Sequence, residues 1–458
     1  MVKKPPNQRL AFYMDEFIID RQTINDLAIF ADEAASVYSF FNHVKTIGGQ
    51  TKLRKLIETP SADINILNSR KQTIQYFHQH KLALPLNKKD IDFIEHYLAF
   101  NRSPLKPNIF DVSAGKIKNY LSPGSDHYII TQGIKDLHKL LIVLNRFSAA
   151  MKTEGMNAAV HEFATAMNNF LAKPAIQKLI ATDPEKEQSF LQVSHHDKLF
   201  RKTEITNIRT LLNVVYELDV YISIARVLDN SNFCLAEYID TDECFVNIEG
   251  LHHPSIKDAV TNDIEISTKN LLFITGANMA GKSSFLKALG LCVYLAHVGF
   301  PVPAKAMRTN VFNGLITTIN LADNIGAGYS HYFSEVNRVK QTALLIKEQS
   351  KLFVIFDELF RGTNVKDAYD ASLAIIKALS KVKNCVFLIS THIVEIAQQL
   401  QDIENVRFDY FNAGITGGKP VFDYKLRAGV SSETLGYFIF KNEGIIEILE
   451  EAAKNKDK

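Results

Sequence analysis

The segment Gly276-Ala-Asn-Met-Ala-Gly-Lys-Ser283 constrains this 458-residue chain more than any other feature. It follows an apolar run at residues 271–275 and precedes a helical pattern at residues 284–298. A strand, a glycine-containing loop ending in Gly-Lys-Ser and a helix together direct backbone amides and a helix N-terminus at phosphate groups. The segment therefore predicts a site for the phosphates of a nucleotide, formed by Gly276, Ala277, Asn278, Met279, Ala280, Gly281, Lys282, Ser283 and Ser284.

Two side chains of this segment have distinct expected roles. Lys282 would neutralise charge on the β- and γ-phosphates, and Ser283 would ligate Mg²⁺. Both roles are typical of a nucleoside triphosphatase, so the expected cofactors are ATP and Mg²⁺.

Polar residues also end two later apolar runs, at residues 352–356 and 385–390. Because the carboxyl ends of parallel strands meet at one edge of a sheet, both ends are predicted beside the glycine-containing segment. We expect Asp357 to hold Mg²⁺, directly or through water, and Glu358 to orient or deprotonate the attacking water. We interpret His392 as a sensor of the γ-phosphate; the alternative is an ordinary histidine of a loop or core.

The two halves of the chain differ in pattern. Up to about residue 230, apolar residues recur at helical spacing with breaks at prolines, which predicts an all-α domain over residues 1–230. Short apolar runs then alternate with helical patterns. This alternation predicts an α/β domain over residues 231–458, with a parallel sheet covered on both faces.

Composition and charge exclude several classes of protein. The four cysteines fit neither a zinc motif nor a disulfide framework, which favours a reducing, cytoplasmic setting. The chain has no run of 18 uncharged apolar residues, so no membrane span is predicted. The formal net charge is only +2, so the chain as a whole lacks the basic character that would indicate a nucleic-acid-binding protein. Residues 51–150 carry 15 Lys and Arg against 8 Asp and Glu, which is typical of a solvated helical face, with a DNA-facing surface as the alternative.

Together these motifs resemble the ATPase domain of the MutS family of DNA mismatch-repair proteins. The segment GANMAGKSS is similar to the family's GPNMGGKST, and Asp357-Glu-Leu-Phe-Arg-Gly-Thr-Asn is similar to DEIGRGTS. Ser390-Thr-His392 with Glu395 matches the family's A-T-H-x-x-E-L. The resemblance is strong over residues 205–445 and weak over residues 30–80, which look like the start of the family's helical lever domain.

The resemblance implies a P-loop (ABC-type) ATPase domain preceded by an all-α lever domain. It also implies a homodimer that acts on mismatched or branched DNA, in mismatch repair or recombination control. The segment that contains Ser330 resembles the family's S-T-F-M-V-E-M signature, whose serine reaches the partner's nucleotide. Ser330 is therefore the expected trans contact, a role compatible with a helix N-cap serine.

The chain also departs from the family pattern. Ala277 and Ala280 replace Pro and Gly, and Leu359-Phe360 replaces Ile-Gly after the acidic pair. Ala259 or Val260 falls where the family has an aromatic residue for adenine. The mismatch-reading and connector domains are expected to be absent, and the DNA clamp reduced or absent. These departures leave a second function open, that of a nucleotide-gated protein-interaction ATPase that no longer reads mismatches or DNA.

Overall fold

A computed structural model of the chain describes residues 17–31, 36–104, 125–230, 232–319, 331–416, 419–431, 440 and 444–454. Its contacts divide into two compact units. One, the helical unit, comprises Tyr38–Glu58 and Ser69–Asp229. The other, the sheet unit, comprises Met1–Val37, Thr59–Asn68 and Asn230–Lys458.

The helices before residue 230 follow the predicted helical spacing. The helix predicted from the apolar stripe at 211–228 begins six residues earlier and ends in a 3₁₀ turn at Arg226–Asp229. In chain order the helices are α1 Arg21–Asp26, α2 Val37–Phe41, α3 Ile47–Glu58, α4 Ile64–His80, α5 Lys88–Leu98, α6 Ser125–Ala150, α7 Ala158–Leu171, α8 Pro174–Ile180, α9 Phe190–Lys198 and α10 Ile205–Ala225.

A buried carboxylate fastens the start of α3 to α10 within the helical unit. Asp219 Oδ2 accepts hydrogen bonds from the backbone N–H groups of Lys45 at 3.0 Å and Thr46 at 2.9 Å, and from the Thr46 hydroxyl at 2.8 Å. A buried charge requires such donors, and here three of them meet one oxygen. Helices far apart in sequence are thereby held as one packed layer.

The sheet unit contains a seven-stranded sheet in its described part, with the order β1-β7-β8-β9-β5-β10-β11. Neighbouring strands are parallel except for the antiparallel pair β10 and β11. The three central strands are buried along their whole length, which explains their uninterrupted apolar runs. The strands are β1 Ile18–Ile19, β2 Glu237–Tyr238, β3 Val246–Leu251, β4 Asn262–Ile266, β5 Leu271–Gly276, β6 Ala306–Thr309, β7 Gly314–Thr318, β8 Leu352–Asp357, β9 Val386–Ser390, β10 Val406–Thr416 and β11 Lys419–Ala428.

Helices connect or follow these strands. They are α11 Lys282–Val298, α12 His331–Glu348, α13 Val365–Leu379, α14 Glu395–Gln398 and α15 Ile445–Lys454. None of the helices in the described ranges combines the length and the apolar character needed to cross a lipid bilayer.

The mixed α/β sheet, with mostly parallel strands and many helices, agrees with the predicted class, but two features differ from the prediction. A second sheet, of order β2-β6-β3-β4, precedes and interrupts the main one and is partly antiparallel. Strand β1 lies within the range predicted to be all-α, yet it pairs in parallel with β7. A two-residue strand is too short to show a period in sequence, so its placement depends on contacts about 295 residues away.

Candidate active site

At two positions, the loop between β5 and α11 has backbone angles that only glycine adopts freely. Gly276 has φ of 144° and Gly281 has φ of 107°. A Cβ at residue 276 would lie 2.8 Å from the carbonyl oxygen of Phe411, on the neighbouring strand β10. The two glycines of the predicted motif therefore permit the loop to turn tightly above the end of β5. We call residues 276–283 the GKS loop.

Lys282 begins α11 and folds back over the GKS loop. Its Nζ donates to the carbonyl oxygens of Gly276 at 2.6 Å and Ala277 at 3.1 Å. The side chain is buried, and this burial lowers the pKa of Lys282, while the nearby carboxylates of Glu358 and Asp357 oppose the change. A buried ammonium held only by carbonyl oxygens and nearby carboxylates is positioned to exchange them for an anion in the loop.

The carboxylate of Asp357, at the end of β8, joins the ends of three elements. Ser283 Oγ, in the first turn of α11, donates to Asp357 Oδ2 at 2.5 Å. The hydroxyl of Ser390, at the end of β9, donates to Asp357 Oδ1. Two hard oxygen ligands, one hydroxyl and one carboxylate, thus lie in contact below the loop. A hydroxyl and a carboxylate are ligands that Mg²⁺ can use together with phosphate and water. Among the described residues there is no cluster of three or more His, Cys, Asp or Glu that could hold a metal ion.

Glu358 follows in a strained backbone conformation and lies beside Arg361 and His392. Its φ is 59°, and its N–H donates to the carbonyl oxygen of Ser390 at 3.0 Å. Its Oε2 lies 3.0 Å from Arg361 Nε and 3.7 Å from His392 Nδ1. The interaction with His392, aided by Arg361, lowers the pKa of Glu358, and the same carboxylate raises the pKa of His392. Glu358 is therefore a carboxylate at neutral pH.

These groups border a cavity of about 740 Å³. The lining includes Glu358 and seven of the nine residues predicted to contact phosphate, namely Ala277, Asn278, Met279, Gly281, Lys282, Ser283 and Ser284. Gly276 and the fully buried Ala280 form the floor of the loop and do not line the cavity. Asp357 does not line the cavity itself, but it contacts Ser283, which does. The side chain of His392 is 62% exposed and lies beside Glu358.

Several cavity residues escaped the sequence interpretation. Arg361 lies within the quoted acidic block but had no assigned role, whereas Tyr424 on β11 lies in no motif. Ala259 and Val260 do line the cavity, together with His252 and His253. The cavity lining therefore includes the phenol ring of Tyr424 and two imidazole rings. The predicted trans contact, Ser330, lies outside the described residues.

Comparison with known proteins finds similarity to one family over part of the chain. Residues 272–458 match the family model described as MutS domain V. The DNA mismatch repair protein MutS of Anaplasma phagocytophilum (strain HZ) is 32% identical over 240 residues, which is 52% of this chain and 29% of that protein. The DNA mismatch repair protein MSH3 of Candida glabrata is 30% identical over 250 residues, covering 52% of this chain and 24% of that protein. The chain thus matches less than a third of the length of these relatives. The resemblance to the MutS family found in the sequence is confirmed over residues 272–458.

The backbone of the GKS loop leads to a prediction about stability. Gly276→Ala places a Cβ against the Phe411 carbonyl at a φ that alanine disfavours, so we expect a loss of roughly 2 kcal/mol in the free energy of unfolding. Gly414→Ala is the matched control, because a Cβ there meets nothing within 4 Å. Urea unfolding of both variants decides the point. Equal stability of the two would show that the loop backbone is not constrained as described.

Proposed function

We propose that this chain is a MutS-like ATPase that hydrolyses ATP with Mg²⁺, since residues 272–458 match the family model described as MutS domain V. The observation that carries the proposal is the meeting of Lys282 and Ser283 with Asp357 and Glu358 at one edge of the sheet. A phosphate-binding loop alone would support nucleotide binding. The added carboxylates supply the metal ligand and the water-orienting group that hydrolysis requires.

Each residue has a distinct role in the proposed reaction. The amides of the GKS loop and the N-terminus of α11 bind the phosphates, and Lys282 exchanges its carbonyl partners for phosphate oxygens. Ser283 and Asp357 would hold Mg²⁺, which when bound neutralises charge on the β- and γ-phosphates. Glu358 orients and polarises the attacking water as a carboxylate, because its lowered pKa keeps it ionised. His392 senses the γ-phosphate from beside Glu358.

The rings that line the cavity suggest how the base of the nucleotide is held. Tyr424 and the histidines at 252 and 253 offer faces on which a purine can stack, in place of the family aromatic that this chain lacks near residue 259. Burial lowers the pKa of both histidines, so they are neutral at pH 7 and present uncharged rings.

The remaining parts of the proposal come from the family resemblance. Two chains would form a homodimer in which Ser330 of each completes the partner's site, and nucleotide state would bias the arrangement of the helical unit on DNA. We place the protein in the cytoplasm because its four cysteines are free and fit a reducing setting. Mismatch repair or recombination control is the proposed context, since the relatives are named as DNA mismatch repair proteins.

Two substitutions separate nucleotide binding from hydrolysis. Lys282→Ala should abolish ATP binding or turnover because the ammonium group that lies on the GKS loop is lost. Glu358→Gln should keep ATP binding within about twofold and lower turnover by at least about 100-fold, since an amide cannot accept the water's proton. Binding is measured by calorimetry and turnover by phosphate release. Lys269→Ala and Glu404→Gln, both exposed positions outside the cavity, are the matched controls. Parent-like turnover by Glu358→Gln would remove Glu358 from the chemistry.

A mixing experiment tests the composite dimer site. Lys282→Ala chains and Ser330→Ala chains should each be inactive alone. In a heterodimer, one site joins an intact Lys282 to the partner's intact Ser330, so an equal mixture should regain about a quarter of the parent turnover. A mixture that stays inactive while sedimentation shows exchanged dimers would exclude the trans role of Ser330.

DNA binding distinguishes the proposed function from the protein-interaction alternative. We expect the chain to bind mismatched or branched duplexes, with affinity falling on the order of tenfold or more between 50 and 200 mM salt, because phosphate contacts release counterions. Gel shifts with homoduplex, mismatched and branched DNA, with and without ATP, measure this. No binding to any of them at low salt would instead favour an ATPase that recognises a protein partner.

A further inference from the structure

Phe360 is a bulky residue in a backbone conformation that normally belongs to glycine. Its φ is 61°, and it is only 4% exposed. It stands two residues after Glu358, whose φ is also positive, so the turn that carries the carboxylate has two left-handed residues. Such strain persists only where the surrounding contacts over-determine it, and it concentrates at functional sites.

The contacts that hold Phe360 come from α12 and the apolar core beneath the sheet. Its ring centroid lies 5.8 Å from that of Tyr332, in the first turn of α12, at an interplanar angle of 57°. Both side chains belong to the hydrophobic cluster formed by β8, α12 and α13. One helical turn along α12, the buried Glu335 accepts a hydrogen bond from the N–H of Gly362 at 3.5 Å. The N-terminal part of α12 therefore contacts the segment 357–362 at two points, one in its first turn and one a turn later.

The same segment determines where the Glu358 carboxylate lies. Arg361 donates to the carbonyl oxygen of Asp357 at 2.9 Å and pairs with Glu358 Oε2 at 3.0 Å. This fold-back requires the positive φ at residue 360, directly before Arg361. A ring anchored on α12 thus fixes the backbone that aims both Arg361 and the carboxylate.

We propose that Phe360 is a positioning residue that couples α12 to Glu358, so that displacement of α12 turns the water-orienting carboxylate toward or away from its working position. α12 begins at His331, the residue after the predicted trans contact Ser330. Occupancy of that contact by the partner's nucleotide would reach Glu358 through the Tyr332–Phe360 ring pair. The inference rests on the hydrolytic role proposed for Glu358.

Phe360→Gly tests the contact between the Phe360 ring and α12 without adding backbone strain. Glycine adopts the same φ without cost, so the turn can form, while the ring that joins it to α12 is removed. We expect kcat to fall at least about tenfold with the dissociation constant for ATP unchanged within about twofold. Phe360→Tyr, which retains the ring, should restore most of the turnover. Ile376→Val is the control for general loosening of the core, because Ile376 is a buried member of the same apolar cluster and lies on α13.

A double-mutant cycle with Tyr332→Leu tests whether α12 acts on Glu358 through the contact between the Tyr332 and Phe360 rings. Tyr332→Leu should reproduce the loss of kcat seen in Phe360→Gly, and the double variant should lose no more than either single variant. Tyr332 is half-buried at a helix start, so this variant answers the question even if Phe360→Gly does not fold. Parent-like kcat in either single variant, or additive losses in the double variant, would overturn the coupling.

Hydrogen exchange makes the test independent of turnover. Tyr332→Leu should speed the exchange of the amides of residues 358–362 and leave the exchange of the GKS loop amides unchanged. If the parent chain hydrolyses no ATP, the proposed function fails, but this measurement still decides the inference. Unchanged exchange at residues 358–362 would show that α12 does not hold the turn.

Discussion

The carboxylate of Asp357 is the interaction on which the described site depends. It accepts from Ser283 on α11 and from Ser390 on β9 while it terminates β8, so one side chain fixes the mutual position of three elements. The fully buried central strands supply the rigidity behind it. The GKS loop and the carboxylates of Asp357 and Glu358 then lie close together because the strand ends that carry them share one edge of the sheet.

Near Asp357, the charged side chains of Lys282 and Glu358 are only partly balanced by their neighbours. Lys282 is held by carbonyl oxygens, and its pKa is lowered by burial, while Glu358 is shared between Arg361 and His392. A phosphate anion would give the lysine a better partner than these carbonyl oxygens. Lys282 and Glu358 also influence each other's pKa, so the proposed phosphate-binding group and the proposed water-orienting group belong to one electrostatic network.

The central parts of this site could be predicted from sequence because each is a local pattern. The glycine-containing loop follows one apolar run, and the acidic pair follows another. If the two runs are parallel strands of one sheet, the loop and the acidic pair are predicted to lie in contact. The fold-back of Arg361 could not be predicted, because it follows from positive φ values at Glu358 and Phe360 that neither residue type favours. The second sheet was missed because its strands are short and mix exposed with buried positions. Tyr424 reaches the cavity from a hairpin about 140 residues after the loop, a contact that no motif encodes.

Metal dependence tests the central claim most directly, because the proposed function assigns Ser283 and Asp357 to the binding of Mg²⁺. Phosphate release from ATP is measured on the purified parent chain in Mg²⁺, after chelation with EDTA, and after Mg²⁺ is restored. The account predicts turnover in Mg²⁺, its loss in EDTA and its full return. Equal turnover in EDTA, or bound ATP that is never hydrolysed in Mg²⁺, would contradict it.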